Sequence, residues 1–175
     1  MSMFSPEVEQ LIKEKSGDFI IPARKIAIVQ DDNPLMHAFL ILTKVRYAKI
    51  PVLDAESRIV GLLSLAMITD PMLTTQKIDT DVLNTMTVRD VMQTDFDTIQ
   101  VTEPLEHELH LLVDNAFLPV VDANKVFQGM LTRRELIKSF NYVAHELNEH
   151  YSVTPKIATS EHNQTHPEVK NISVI

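Results

Sequence analysis

Two arginines stand side by side in Gly129-Met130-Leu131-Thr132-Arg133-Arg134-Glu135, where an apolar run passes into a stretch of helical spacing. Thr132 followed three residues later by Glu135 is the signature of a capping box, which starts a helix. A helix start offers free N–H groups and the positive end of a dipole. It therefore attracts phosphate and disfavours cations, by a few tenths to about 1 kcal/mol each. Arg133 and Arg134 at such a place ask for a negative partner, and guanidinium groups hold phosphate through charge-assisted hydrogen bonds. The competing reading pairs them with acids of a neighbouring chain or leaves them in water.

Further cations and an aromatic ring stand at two other places. Arg24 and Lys25 precede the apolar run Ile26 to Val29, and Arg46, Tyr47 and Lys49 flank the entry to Ile50-Pro51-Val52-Leu53-Asp54. Tyr47 has two readings, a ring that stacks on a ligand or bonds a phosphate, and an ordinary core tyrosine. His107 and His110 lie three apart with no acid or thiol partner set by the sequence, and His162 and His166 fall near the C-terminus, so no metal site is expected. The acids are scattered, no serine or lysine nucleophile motif occurs, and three glycines cannot build a phosphate loop. No catalytic residue is assigned, and no enzymatic activity is expected.

The chain has 175 residues, 45% hydrophobic and 23% charged, enough for one core or two small fused units. Its 24 acidic against 16 basic residues argue against nucleic acid or an anionic membrane as partner, because both require a broad positive field. Any anionic ligand must find a local basic cluster. Without cysteine there are no disulfides, no thiolate chemistry and no cysteine-based zinc site, which suits a reducing compartment. Met1 to Gln10 lacks a secretory pattern, and the longest mostly apolar run, Ile59 to Ile68, is about half a bilayer span. A cytoplasmic location is expected.

The elements that must hold these residues follow from an internal repeat. A shift of 68 residues places Ile50-Pro51-Val52-Leu53-Asp54 on Leu118-Pro119-Val120-Val121-Asp122, and Gly61-Leu62-Leu63-Ser64 on Gly129-Met130-Leu131-Thr132. Upstream, Asn33-Pro34-Leu35 matches Glu103-Pro104-Leu105 at a shift of 70. Lys25 to Asp32 and Phe96 to Glu103 are short and β-branched, as strands are. Pro34 to Val45 has helical spacing with proline at its first position. A strand pair and a second helix follow in each copy. The unit is strand, helix, strand, strand, helix, and a strand pair too small to bury its own apolar face requires the copies to pack together.

The fold class is therefore α+β in layers. The predicted organisation is an N-terminal helix 1–16, a first copy 17–72, a connector 73–86, a second copy 87–141, a helix end 142–154 and a flexible tail 155–175. Met67, Met72, Met86, Met92 and Met130 are expected to fill gaps in the cores and their interface.

The doubled pattern, Pro-Val-apolar-Asp and then Gly-apolar-apolar-Ser/Thr opening a helix, resembles the CBS domain. Two tandem CBS domains form a CBS pair, or Bateman module, and the resemblance covers roughly Gly17 to Asn141. It implies clefts between the motifs that bind adenine nucleotides. In the usual signature an Asp three residues after the hydroxyl residue holds the ribose diol. Met67 and Glu135 stand there instead, which disfavours simple sensing of AMP or ATP.

Within the family, Lys25 to Gln30, Leu42 to Asp54 and Gly129 to Glu135 resemble the small CBS-pair proteins of Gram-positive bacteria that bind cyclic di-AMP. That ligand has no free 2′,3′ diol and carries two phosphodiesters, consistent with the missing Asp and the paired arginines. The resemblance implies a ligand site of Lys25, Ile26, Ala27, Arg46, Tyr47, Ala48, Ile50, Thr132, Arg133 and Arg134, with no cofactor. The second cleft has Asp95 and Asp114 where the first has cations, so one working anion site per chain is expected. A homodimer is also implied, as is a protein partner such as a (p)ppGpp synthetase or a metabolic enzyme. The alternatives are a sensor of AMP, ADP or ATP, and a structural dimerisation module with no ligand.

Overall fold

The computed structural model describes residues 12, 19–45, 47–73 and 77–150. The predicted helix 1–16 apart from Ile12, Arg46, and the predicted tail 155–175 lie outside the described residues. Among the described residues strand β1 (Ile20–Pro22) leads into the first copy, which follows as β2 (Val29–Gln30), helix α1 (Leu35–Val45), β3 (Ile50–Leu53), β4 (Ile59–Leu63) and the short α2 (Leu65–Thr69). A single turn α3 (Val82–Thr85) lies in the connector. The second copy is β5 (Ile99–Gln100), α4 (Leu105–Asp114), β6 (Phe117–Val121), β7 (Phe127–Thr132) and α5 (Arg133–His150). Helix α5 runs without a break past the predicted boundary at 141.

Two sheets result among the described residues, ordered β2-β3-β4 and β1-β7-β6-β5. Strand β1 was not expected from the sequence, and it pairs antiparallel with β7 of the other copy, Ile21 opposite Met130 and Pro22 opposite Gly129. The segment before the second copy does the equivalent on β4, where Leu62 and Gln93 exchange backbone hydrogen bonds of 2.9 Å. Each copy thus lends its leading segment to the closing strand of the other. This exchange shortens the predicted strands. Instead of Lys25 to Asp32 only Val29–Gln30 pairs with β3, and Ala23–Lys25 forms a 3-10 turn. Likewise only Ile99–Gln100 remains of Phe96 to Glu103.

Pro34 also sits one place earlier than predicted, and Pro104 stands alike. Pro34 lies just outside α1, its carbonyl accepting from His37 N at 3.0 Å, and Pro104 caps α4 with φ −64 and ψ 135. Proline tolerates these positions because its missing N–H would find no helical partner there.

The 68-residue repeat is exact in the hairpins. Asp54 Oδ1 accepts from Glu56 N and Arg58 N, and Asp122 Oδ1 accepts from Asn124 N and Val126 N, so each motif aspartate closes its own turn. Ser57 and Lys125 carry positive φ values of 61 and 64 in those turns. Ile59 N donates to Lys125 O at 3.2 Å and Phe127 N to Ser57 O at 3.0 Å, a reciprocal pair that defines a two-fold relation between the copies.

Three apolar clusters follow from this arrangement. One fills the first copy around Leu35, Ile50 and Leu63, and one the second around Ile99, Leu118, Leu131 and Leu136, where Ile12 and Phe19 also pack. The third joins Leu53, Ile59 and Leu62 to Val121, Phe127 and Met130, the same three positions of each copy. Of the five methionines, Met67, Met86 and Met92 pack half-buried against the first cluster, while Met72 and Met130 are buried.

One carboxyl sits uneasily in this frame. Burial on α4, helped by the charge of Glu103, pushes Glu108 up to about 7 from 4.5. A carboxyl raised on folding costs stability once the unfolded chain would ionise it, so the cost is absent below pH 4.5, grows as pH rises from there to about 7 and is full above it. Because the group is partly exposed, solvent screening holds the cost to about 1 kcal/mol. Glu108→Gln is expected to stabilise the protein by that amount at pH near 8 and not at pH near 4, measured by urea unfolding at both.

Candidate functional site

Thr132 ends β7, and its Oγ1 accepts from Glu135 N at 3.2 Å, which starts α5 as the capping motif predicts. The reciprocal half of the box is not made, because the Glu135 carboxylate pairs with Lys138 at 2.7 Å. The arginines that follow part company. Arg133 Nε donates to Leu112 O at 2.8 Å, and its Nη2 donates to Val113 O and Asn115 O, both at 3.0 Å.

These acceptors are the last carbonyls of α4 and its exit. A helix end leaves such carbonyls without intrahelical partners and carries the negative end of the dipole, and α4 ends without a capping glycine. Arg133 supplies the missing donors. Arg133 thus has a negative partner in the neighbouring helix end, beside the phosphate expected for it. Arg134 differs, being exposed with no hydrogen bond or ion pair among the described residues. The absence of glycine after Asp114 was the signal in the sequence that α4 needed an outside donor.

The other predicted residues come from two adjacent strand entries. β2 and β3 are parallel neighbours, Val29 opposite Val52, so the segments Lys25 to Ala27 and Tyr47 to Lys49 enter the sheet at the same edge. Lys25 and Ala48 are exposed and Tyr47 is 53% exposed, which removes the core reading for this tyrosine. Ile26 packs half-buried against the shared cluster beside Phe127 and Met130, which sets this edge against β7 of the second copy. Ala27 packs half-buried on the first core. Ile50 is 0% exposed, so its side chain belongs to the core and the ligand contact expected of this segment falls to its backbone. A buried β-branched residue at the start of β3 anchors the sheet rather than facing the cleft.

A second cleft lies between the copies, a cavity of about 420 Å³ lined by Ala48, Lys49 and Leu62 of the first copy and by Gln93 to Asp97 and Asp114 to Phe117 of the second, Thr94 excepted. Lys49 Nζ donates to Gln93 Oε1 at 2.6 Å, and Asn115 Nδ2 to Asp97 Oδ2 at 3.0 Å. Asp95, Asp97 and Asp114 give this cleft a negative wall. The repeat aligns Asp114 to Phe117 with Arg46 to Lys49 in sequence, and Phe96 with Ile26. In the alignment of the repeat, Lys25 thus stands where the second copy has Asp95, Arg46 where it has Asp114, and Tyr47 where it has Asn115. Lys49, read from sequence only as one basic residue among several, belongs to the second cleft.

A cleft between two interleaved copies, each opening a helix from a Gly-apolar-apolar-Ser/Thr strand, defines a Bateman-type module. The CBS domain family model matches residues 17–72 and 88–142, and the chain belongs to that family. Among particular relatives, it is 36% identical over 147 residues to cyclic di-AMP receptor B of Bacillus subtilis (strain 168), covering 84% of this chain and 100% of the relative. The crystal structure of the Listeria monocytogenes CbpB protein in complex with c-di-AMP is similar at 46% identity and TM-score 0.69, over 75% of this chain and 98% of that one. CbpB from Streptococcus agalactiae is similar at 27% identity and TM-score 0.78, over 89% and 98%. No helix among the described residues is long and apolar enough to cross a membrane.

Proposed function

We propose that this protein is a non-enzymatic receptor for cyclic di-AMP. The ligand lies in the first cleft, where Lys25 to Ala27 and Tyr47 to Ala48 of the first copy meet the Thr132 to Arg134 helix start of the second. The observation that carries the reading is Arg134, an exposed guanidinium at the positive end of α5 with no compensating acid among the described residues. A phosphodiester compensates it, and the free amides of the first helical turn add to the attraction. Tyr47 stacks on a base, and the backbone near Ala27 and Ala48 meets the adenine edge. The Glu135 carboxylate pairs with Lys138, in keeping with a cyclic 3′,5′ dinucleotide that has no 2′,3′ diol to hold.

The acidic second cleft repels phosphate, so each chain takes one ligand. The working unit is a homodimer in the cytoplasm, and occupancy of the site controls a protein partner through negative coupling, each weakening the other equally. The test is calorimetric titration with cyclic di-AMP beside AMP, ATP and cyclic di-GMP. Cyclic di-AMP alone is expected to bind, and Arg134→Met to weaken it by about 1.5 kcal/mol or more, tenfold, because a charged hydrogen bond is lost. A change below twofold would remove Arg134 from the site, and binding of AMP or ATP instead would replace the reading with an energy sensor.

A further inference from the structure

The last turns of α5 bring together His145, Glu146 and Glu149, whose donor atoms all lie within 4.8 Å of one another. His145 Nε2 stands 3.7 Å from Glu149 Oε1, one helical turn on. We propose that His145 and Glu149, with Glu146 as a third donor, bind a divalent transition ion of the zinc type. Two ligands at bond lengths of ~2.1 Å on one tetrahedral ion stand about 3.4 Å apart, so the pair is held within a few tenths of an ångström of chelating separation.

The donor set selects among metals. An imidazole with carboxylates suits zinc, whereas magnesium and calcium take oxygen donors and need more of them. The position favours a cation too, because α5 ends at His150 and the C-terminal turn carries the negative end of the helix dipole. His145 and Glu149 are 68% and 57% exposed, which leaves the remaining coordination positions to water. The site stands apart from the nucleotide cleft, since the eleven residue steps of helix from Arg134 to His145 span about 16 Å. It was not expected from the sequence, and His107 and His110 belong to no such group of three donors among the described residues.

Calorimetric titration of the full chain with zinc chloride in chelator-free buffer tests this. One zinc per chain is expected, with His145→Gln and Glu149→Gln each weakening binding by about tenfold or more. The double variant His107→Gln with His110→Gln is expected to stay within about twofold of the parent on the same scale. Zinc should raise the melting temperature of the parent and not of the two ligand variants, because an ion that binds only the folded chain stabilises it. Failure of the parent to bind zinc would overturn the proposal. So would parent-like binding in both ligand variants, including binding that disappears only when His162 and His166 are replaced.

Discussion

Arg133→Met is expected to lower folding stability by about 2 kcal/mol, while Arg134→Met leaves stability within about 0.5 kcal/mol. The two residues are adjacent, carry the same charge and open the same helix, yet only Arg133 is spent on the protein itself. Its three hydrogen bonds to Leu112 O, Val113 O and Asn115 O join the start of α5 to the end of α4. Methionine keeps the packing of the stem and removes the donors. Two further effects set the size. The freed carbonyls at the exposed helix exit recover water, which limits the loss, but the α4 dipole also loses its cation. Urea unfolding of both variants, read beside cyclic di-AMP titration, separates the roles. If Arg133→Met unfolds like the parent and loses only ligand, the arginine belongs to the cleft and not to α4.

Gly129→Ala is expected to cost about 3 kcal/mol, near the upper end for overpacking. A methyl group at Gly129 would meet the backbone oxygen of Ile21 at a separation real side chains do not reach, with Ile20 Cγ2 at 2.9 Å beyond it. Backbone in a strand cannot step aside, so β1 must separate from β7. The repeat supplies an internal control. At Gly61, the corresponding residue, a methyl group would meet Met92 Sδ at 2.6 Å and Gln93 O at 3.1 Å. A methionine side chain bends away at small cost, so Gly61→Ala is expected to lose only about 1 kcal/mol. Because β1 leads directly into Ala23–Lys25, Gly129→Ala should also weaken ligand binding, whereas Gly61→Ala should not. Equal losses of stability in the two variants would show that the leading segments are held alike.

The contrast between these glycines marks how far the sequence could be read. The 68-residue repeat, the two hairpins, the helix after each leading strand and the cap at Thr132 were all visible, because each depends on residues within a few positions of one another. Proline near a helix start, alternation along a strand and a hydroxyl three residues before an acid are local rules. The family resemblance, carried by those same local motifs, reached the CBS pair. It also named the cleft that brings Lys25, Tyr47 and Arg134 into one proposed site.

What the sequence could not decide was which groups are already taken. Arg133 reads the same as Arg134 until the end of α4 is placed beside it, and α4 lies about twenty residues upstream. Ile50 reads as part of a ligand-facing segment until the parallel pairing of β2 and β3 puts its side chain wholly inside the first core. Strand β1 was missed because its partner is in the other copy, and the exchange left Val29–Gln30 as the whole of a strand expected to be eight residues long. Composition and spacing determined the two copies and the chemistry on offer. Only the tertiary structure assigned each charge to its partner, because a hydrogen bond depends on distances of about 3 Å between atoms that chain order leaves free to be near or far.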